Sequence, residues 1–246
     1  MLLRHLPRLA ATFALTSLGC HLHAASITVL NPSFEDTVLS PGTFSTGSAP
    51  AGWSAYGSID FNARAIGSLN PASTTLYSAA VPDGANVGVV FLLDGGPAVE
   101  SGLSQTLGAT LQLNTTYTLQ VEVGNIANDP NPPHSSFNFS GFPGYRIDLL
   151  AGGTVIASDN NSLLPAEGQF LTSTVLLSIG GSHAQAGQTL AIRLVNLDGD
   201  NGIEVNFDNV RLDASPIPEP AQATLAAGAS LLALAGVTRR RATSAP

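Results

Sequence analysis

Along the middle of the chain, apolar and polar residues alternate one by one in short stretches. The clearest is TTYTLQVEV, where Tyr117, Leu119, Val121 and Val123 hold one parity and Thr116, Thr118, Gln120 and Glu122 the other. A period of two places those sets on opposite faces of a strand. Similar stretches recur as ITVL from Ile27, NVGVVFLL from Asn86, YRIDLLA from Tyr145, TVIAS from Thr154, FLTSTVLLSI from Phe170, TLAIRLVN from Thr189 and IEVNFDNVRL from Ile203. Gly, Asn, Asp and Pro clusters separate them, and AGGT from Ala151 reads as a tight hairpin turn. No helical period outlasts a turn or two between residues 26 and 215. Many short strands in one span predict an all-β chain, a single jelly-roll β-sandwich.

Both ends depart from this pattern. MLLRHLPR is a short basic region, LAATFALTSLG an apolar core, and HLHAAS offers a small-residue cleavage site near Ala25. Residues 1–25 therefore read as a secretory signal peptide, too short to span a membrane. Cys20, the only cysteine, would leave with it, so the mature chain would rest on core packing or a bound metal rather than disulfides. At the other end, Ala221 to Val237 form an uncharged run of 17 residues, about 26 Å long as a helix, against a bilayer core of about 30 Å. Pro216, Pro218 and Pro220 keep the preceding segment extended, and Arg239, Arg240 and Arg241 follow the run.

Pro218-Glu219-Pro220, then the apolar helix, then the arginine cluster resembles the PEP-CTERM sorting signal of Gram-negative bacteria. The resemblance covers the last ~30 residues. It implies an exosortase-type sorting protease as partner, transient inner-membrane anchoring, cleavage near Pro-Glu-Pro, and delivery to the cell surface or extracellular matrix in an exopolysaccharide and biofilm setting. Three segments follow: the signal peptide (1–25), the β-sandwich domain (26–215) and the sorting segment (216–246).

Composition narrows the function classes. With 44% hydrophobic and 11% charged residues, the chain has ample material for a core. Lysine is absent, and residues 26–215 carry four arginines against sixteen carboxylates. Such a domain repels phosphate backbones, which argues against nucleic acid. That span holds two histidines, His134 and His183, and no GxSxG elbow, HExxH helix or phosphate-cradling glycine loop. The expectation is a non-catalytic protein.

Two motifs lie at opposite ends of the domain: NPSFED (Asn31 to Asp36), followed by Gly52-Trp53, and VNFDNVRLD (Val205 to Asp213). In the second, Val205 and Phe207 share a parity while Val210 and Leu212 take the other, which predicts a bulge at Asp208-Asn209. With SQTL at Ser104, TYTL at Thr116 and LLAGG at Leu149, they resemble secreted jelly-roll domains of the galactose-binding-like type, among them carbohydrate-binding modules. That resemblance implies neighbouring first and last strands bridged by a structural calcium ion, held by the carboxylates of Glu35 and Asp208 and by carbonyls near Asn31. The alternative is that Glu35 and Asp208 cap turns or accept backbone hydrogen bonds. NLDGDNG (Asn196 to Gly202) fails the EF-hand spacing and reads as a turn before the last strand.

The long irregular segment Gly124 to Tyr145 is the candidate ligand surface, with Phe137, Phe139, Phe142 and Tyr145 among polar residues. Aromatic faces beside polar groups suit a sugar; the alternative is a satellite hydrophobic cluster beneath the loop. Trp53 reads as core. The function expected is an exported surface or matrix protein whose jelly roll binds extracellular polysaccharide. The alternative is a structural or adhesion protein making protein–protein contacts.

Overall fold

The computed structural model describes residues 24–59, 64–93, 100–197 and 202–218. The first unit strands are short: β1 (Ala25–Ile27), β2 (Thr43–Ser45), β3 (Ser54–Gly57), β4 (Arg64–Asn70) and β5 (Val87–Leu92). Longer ones follow: β6 (Ser101–Thr110), β7 (Thr115–Asn125), β8 (Tyr145–Ala151), β9 (Thr154–Asn160), β10 (Gln169–Ile179), β11 (Thr189–Asn196) and β12 (Glu204–Pro216). A three-residue 3₁₀ turn, His134–Ser136, is the one helical element among the described residues. None of these residues forms a helix long and apolar enough to cross a membrane. The signal peptide up to residue 23, the apolar run 221–237, Glu219, Pro220 and Arg239 to Arg241 lie outside the described residues.

The strands build a sandwich of two antiparallel sheets. One runs β10-β7-β12-β5-β4-β2, with β1 also paired to β12; the other runs β3-β6-β11-β8-β9. Alternation explains most of it. On β7 the inward set Tyr117, Leu119, Val121 and Val123 is buried, and it meets Ile147, Leu149, Ile192 and Leu194 of the facing sheet. Each such side chain contributes roughly 1.5–3 kcal/mol by leaving water. The buried Tyr145 hydroxyl donates to Asp159 over 2.5 Å, and Ser173 of β10 donates to the same carboxylate over 2.5 Å, so one acceptor ties the two sheets together.

The AGGT turn is as expected, with Gly152 and Gly153 at φ 58° and 80°, where a Cβ would be strained. So is the bulge. The β12–β7 register shifts between Asp208 and Arg211, Asn209 sits at φ 50°, and both Phe207 and Leu212 consequently face the core.

Strands β2, β3, β4 and β6 fall outside the predicted stretches, and the ITVL stretch contributes only Ile27 to β1. The first two are three or four residues long, and β4 has no alternation because all its residues after Arg64 are buried. Loops cover the outer face of β4, β5 and β12 with a second apolar cluster built on Ala65, Leu69, Val89, Phe91, Ile126 and Phe139. That second core positions the site.

Candidate active site

A cavity of about 240 Å³ opens within the second cluster. Its floor is Ala65 and Leu69 of β4 with Val89 and Phe91 of β5; Phe44 and Thr46 form one side, and Ile126, His134, Phe137 and Phe139 descend from the long loop. The phenylalanines pack edge-on and tilted, with Phe137 5.4 Å from Phe91 and 5.7 Å from Phe139. This is a pocket for a flat apolar ring system.

Glu204 is the one carboxylate lining it among the described residues. It opens β12, where Glu204, Asn206 and Asp208 share a parity opposite to Val205 and Phe207 and so face away from the central core. The side chain is 6% exposed. Burial pushes its carboxyl up to about 7, although the Asn206 amide, donating to Oε1 over 2.9 Å, pulls the other way. Oε2 has no hydrogen-bond partner among the described residues. Glu204 thus holds its proton to higher pH than an ordinary glutamate, beneath an aromatic roof.

His134 also lines the cavity. Its Nε2 lies 3.1 Å from the Gly42 carbonyl, which can only accept, so Nε2 carries a hydrogen and donates. The apolar cavity therefore carries one raised carboxyl and one imidazole. That pair can donate a proton to a bound molecule and take one back.

A profile of the HpiC1-like family (HpiC1 cyclase) matches residues 25–213. The chain belongs to the HpiC1-like cyclase family. Among solved structures it is similar to the Stig cyclase FisC from Fischerella sp. TAU in complex with (3Z)-3-(1-methyl-2-pyrrolidinylidene)-3H-indole. Identity is 35%, the TM-score 0.71, and the match covers 80% of this chain and 100% of that one. A cyclase from Fischerella sp. TAU in complex with 4-(1H-indol-3-yl)butan-2-one matches at 36% identity and TM-score 0.69, covering 79% of this chain and all of that one. The apo form of a cyclase from Fischerella sp. gives 35% and 0.70, covering 80% and 98%. No curated protein matches.

Membership of the HpiC1-like family corrects several expectations. The reading as a non-catalytic matrix protein, whether binding polysaccharide or making protein contacts, gives way to an enzyme. Exosortase and polysaccharide as partners find no support either; the relatives are solved with indole-bearing small molecules. The PEP-CTERM and carbohydrate-module identity is likewise overturned. The family match spans the whole described domain, and no comparison supports the sorting signal. No spaced motif marks the site in the sequence, because its lining comes from separate strands and one loop.

The aromatic loop residues separate. Phe137 and Phe139 line the cavity, whereas Phe142 and Tyr145 pack against the core between the sheets, 6.2 Å from each other. Trp53 is buried, stacks on Phe34 at 5.5 Å and donates to the Asn31 carbonyl over 3.1 Å.

Asp208 lies close enough to Asp83 and Glu35 to feel both charges. Burial pushes Asp208 up to about 7, with repulsion from Asp83 and Glu35 adding to it. Their oxygens accept backbone hydrogens: Asp208 from Asp83 (2.9 Å) and Asn209 (2.7 Å), Glu35 from Ala85 (2.8 Å) and Asn86 (2.7 Å). Asn31 donates through its side-chain amide to the Ala51 carbonyl over 3.0 Å. Among the described residues, no three His, Cys, Asp or Glu side chains stand in a metal-holding group. Glu204 lies one position before the VNFDNVRLD motif. Its signal in the sequence is the polar parity Glu204, Asn206, Asp208 on an otherwise apolar strand.

Proposed function

We propose that this protein cyclises an indole-bearing small molecule by Brønsted acid catalysis in the Phe91–Phe137–Phe139 cavity, with Glu204 as the acid. The observation that carries this reading is a buried carboxyl, raised to about 7, lining an aromatic cavity. A 3H-indole, the ring system named in the FisC complex, has an imine-type nitrogen able to accept that proton. The Glu204 O–H bond breaks as an N–H bond forms, the cation closes its ring, and a proton leaves the product. The Glu204 carboxylate left by the first step is the acceptor at hand, so the acid is regenerated and substrate and product are isomers. The phenylalanines hold the ring system and exclude water, which keeps the acid neutral and the cation from being captured.

Binding tests the pocket. Calorimetric titration with (3Z)-3-(1-methyl-2-pyrrolidinylidene)-3H-indole should give one saturable site, weakened at least about tenfold in F137A, a loss of roughly 1.4 kcal/mol or more. Binding unaffected by F137A would remove the aromatic cavity from the account.

The reading includes three finer elements. Strands 5-12-7-10 and 6-11-8-9 follow the order of a jelly roll. A calcium ion at Asn31, Glu35 and Asp208 is supported by the crowding of Asp208 with Asp83 and Glu35, which a hard dication relieves. Export is supported by the signal-peptide pattern of residues 1–25; amino-terminal sequencing of the native protein, beginning near Ala25 or at Met1, decides it.

A further inference from the structure

Glu204 is the end of a chain of donors. Tyr77 OH lies 2.5 Å from Asn206 Oδ1, and Asn206 Nδ2 lies 2.9 Å from Glu204 Oε1 and 3.2 Å from the Gly88 carbonyl. All three side chains are buried. The direction of donation is fixed by Gly88. Its carbonyl can only accept, so the amide nitrogen must face Gly88 and Glu204 and the amide oxygen must face Tyr77. Tyr77 then has to donate. It keeps its hydrogen, because burial, and after it Glu204 and Asp208, raise its hydroxyl well above the usual range.

Donation into Oε1 decides where the acid hydrogen sits. Oε1 is taken as an acceptor, which leaves Oε2, without a protein partner among the described residues, on a side chain that lines the cavity. We infer that Tyr77 and Asn206 are positioning residues: their one-way donor chain reserves Oε1 as acceptor and presents the acid hydrogen of Glu204 from Oε2 to the bound substrate. Tyr77 is clasped in turn by Phe170, stacked at 4.5 Å, and by the absence of a side chain at Gly124, where a Cβ would lie 2.7 Å from its hydroxyl. The other titratable groups around this strand are His134 across the cavity, and Asp208 with Glu122 opposite it on β7. Among the described residues, only Asn206 donates to the Glu204 carboxyl.

This inference rests on the proposed acid role, but its physical content can be read without substrate. The full chain, labelled with ¹³C at glutamate side-chain carboxyls, would be titrated by NMR, with the Glu204 resonance assigned by its loss in E204Q. N206L keeps the side-chain shape and removes the donor that favours the carboxylate, so the Glu204 midpoint should rise by about one pH unit. Y77F frees the amide to turn and should raise the midpoint by less. The double variant should match N206L, because Tyr77 acts through Asn206. The alkaline limb of the turnover profile should move in the same direction.

An unchanged or lowered midpoint in folded N206L would overturn the inference. If N206L does not fold, Y77F decides alone, and an unchanged midpoint there overturns it equally. Shifted midpoints together with full turnover in E204Q would leave the donor chain standing and remove the acid role instead.

Discussion

A carboxyl in the position of Glu204 couples protonation to folding as well as to chemistry. Its folded value of about 7 lies above the ordinary 4.5, so the native state binds more protons than the unfolded chain between those values. Its contribution to stability is therefore fully present below about pH 4.5 and is lost as pH rises through about 7. The loss is roughly 3 kcal/mol. Asp208, also raised to about 7, acts in the same window but is common to wild type and E204Q. Denaturant melts of the two proteins at pH 5 and pH 8 should thus show wild type losing stability relative to E204Q at the higher pH. A constant difference would mean that Glu204 is not the buried acid described here. Little of this was legible in the residue order. The parity of Glu204, Asn206 and Asp208 marks a polar face, but whether solvent or a loop covers that face depends on where the segment from Ile126 to Phe139 comes down.

At the level of elements, the site exists because β4 and β5 are covered on both faces. Gly67 lets β2 come close: a Cβ there would run into the Ser45 carbonyl, and into the Thr46 Cα at 2.7 Å. G67A should push β2 outward, carrying Phe44 and Thr46 away from the cavity, at a cost of about 1–3 kcal/mol. Ligand binding should weaken more in G67A than in an alanine substitution of the exposed Leu176, as read by calorimetry and thermal melts. Equal binding in both would detach β2 from the site. The alternation of β7 was evident from sequence because Tyr117, Leu119, Val121 and Val123 are buried while the residues between them stay half-exposed. RAIGSLN was not, since a strand buried on both faces loses its period, and TFS and SAYG are too short to show one. The β12 bulge was legible because two apolar pairs of opposite parity cannot otherwise share a core.

Across the whole molecule, the same sandwich serves as scaffold for a second core on one outer face, and the first and last strands are tied beside it. Ala25 pairs with Ala214, and the Val210 amide donates to the Pro32 carbonyl over 3.0 Å. The Glu35–Asp83–Asp208 cluster lies at this tie, so a calcium ion there would stabilise the folded chain against the unfolded one by mass action. Thermal melts in millimolar calcium should exceed those in chelator by several degrees, a difference abolished in D208N. Equal melting temperatures would remove calcium from the proposal. The likeness to secreted jelly-roll modules captured the sandwich but not its use. A sandwich accepts many sites, and what distinguishes this one is an aromatic cavity assembled from residues as far apart as Phe44 and Glu204.

Turnover of 3H-indole substrates by wild type and E204Q, followed by chromatography and mass spectrometry at pH 6 and pH 8, reaches the central claim most directly. Wild type should form a cyclised product of unchanged mass, faster at pH 6 than at pH 8 as Glu204 loses its proton. E204Q should be slower by about 10²–10⁴-fold at both. Wild-type turnover in a folded E204Q, with the same pH dependence, would contradict the assignment of Glu204 as the acid.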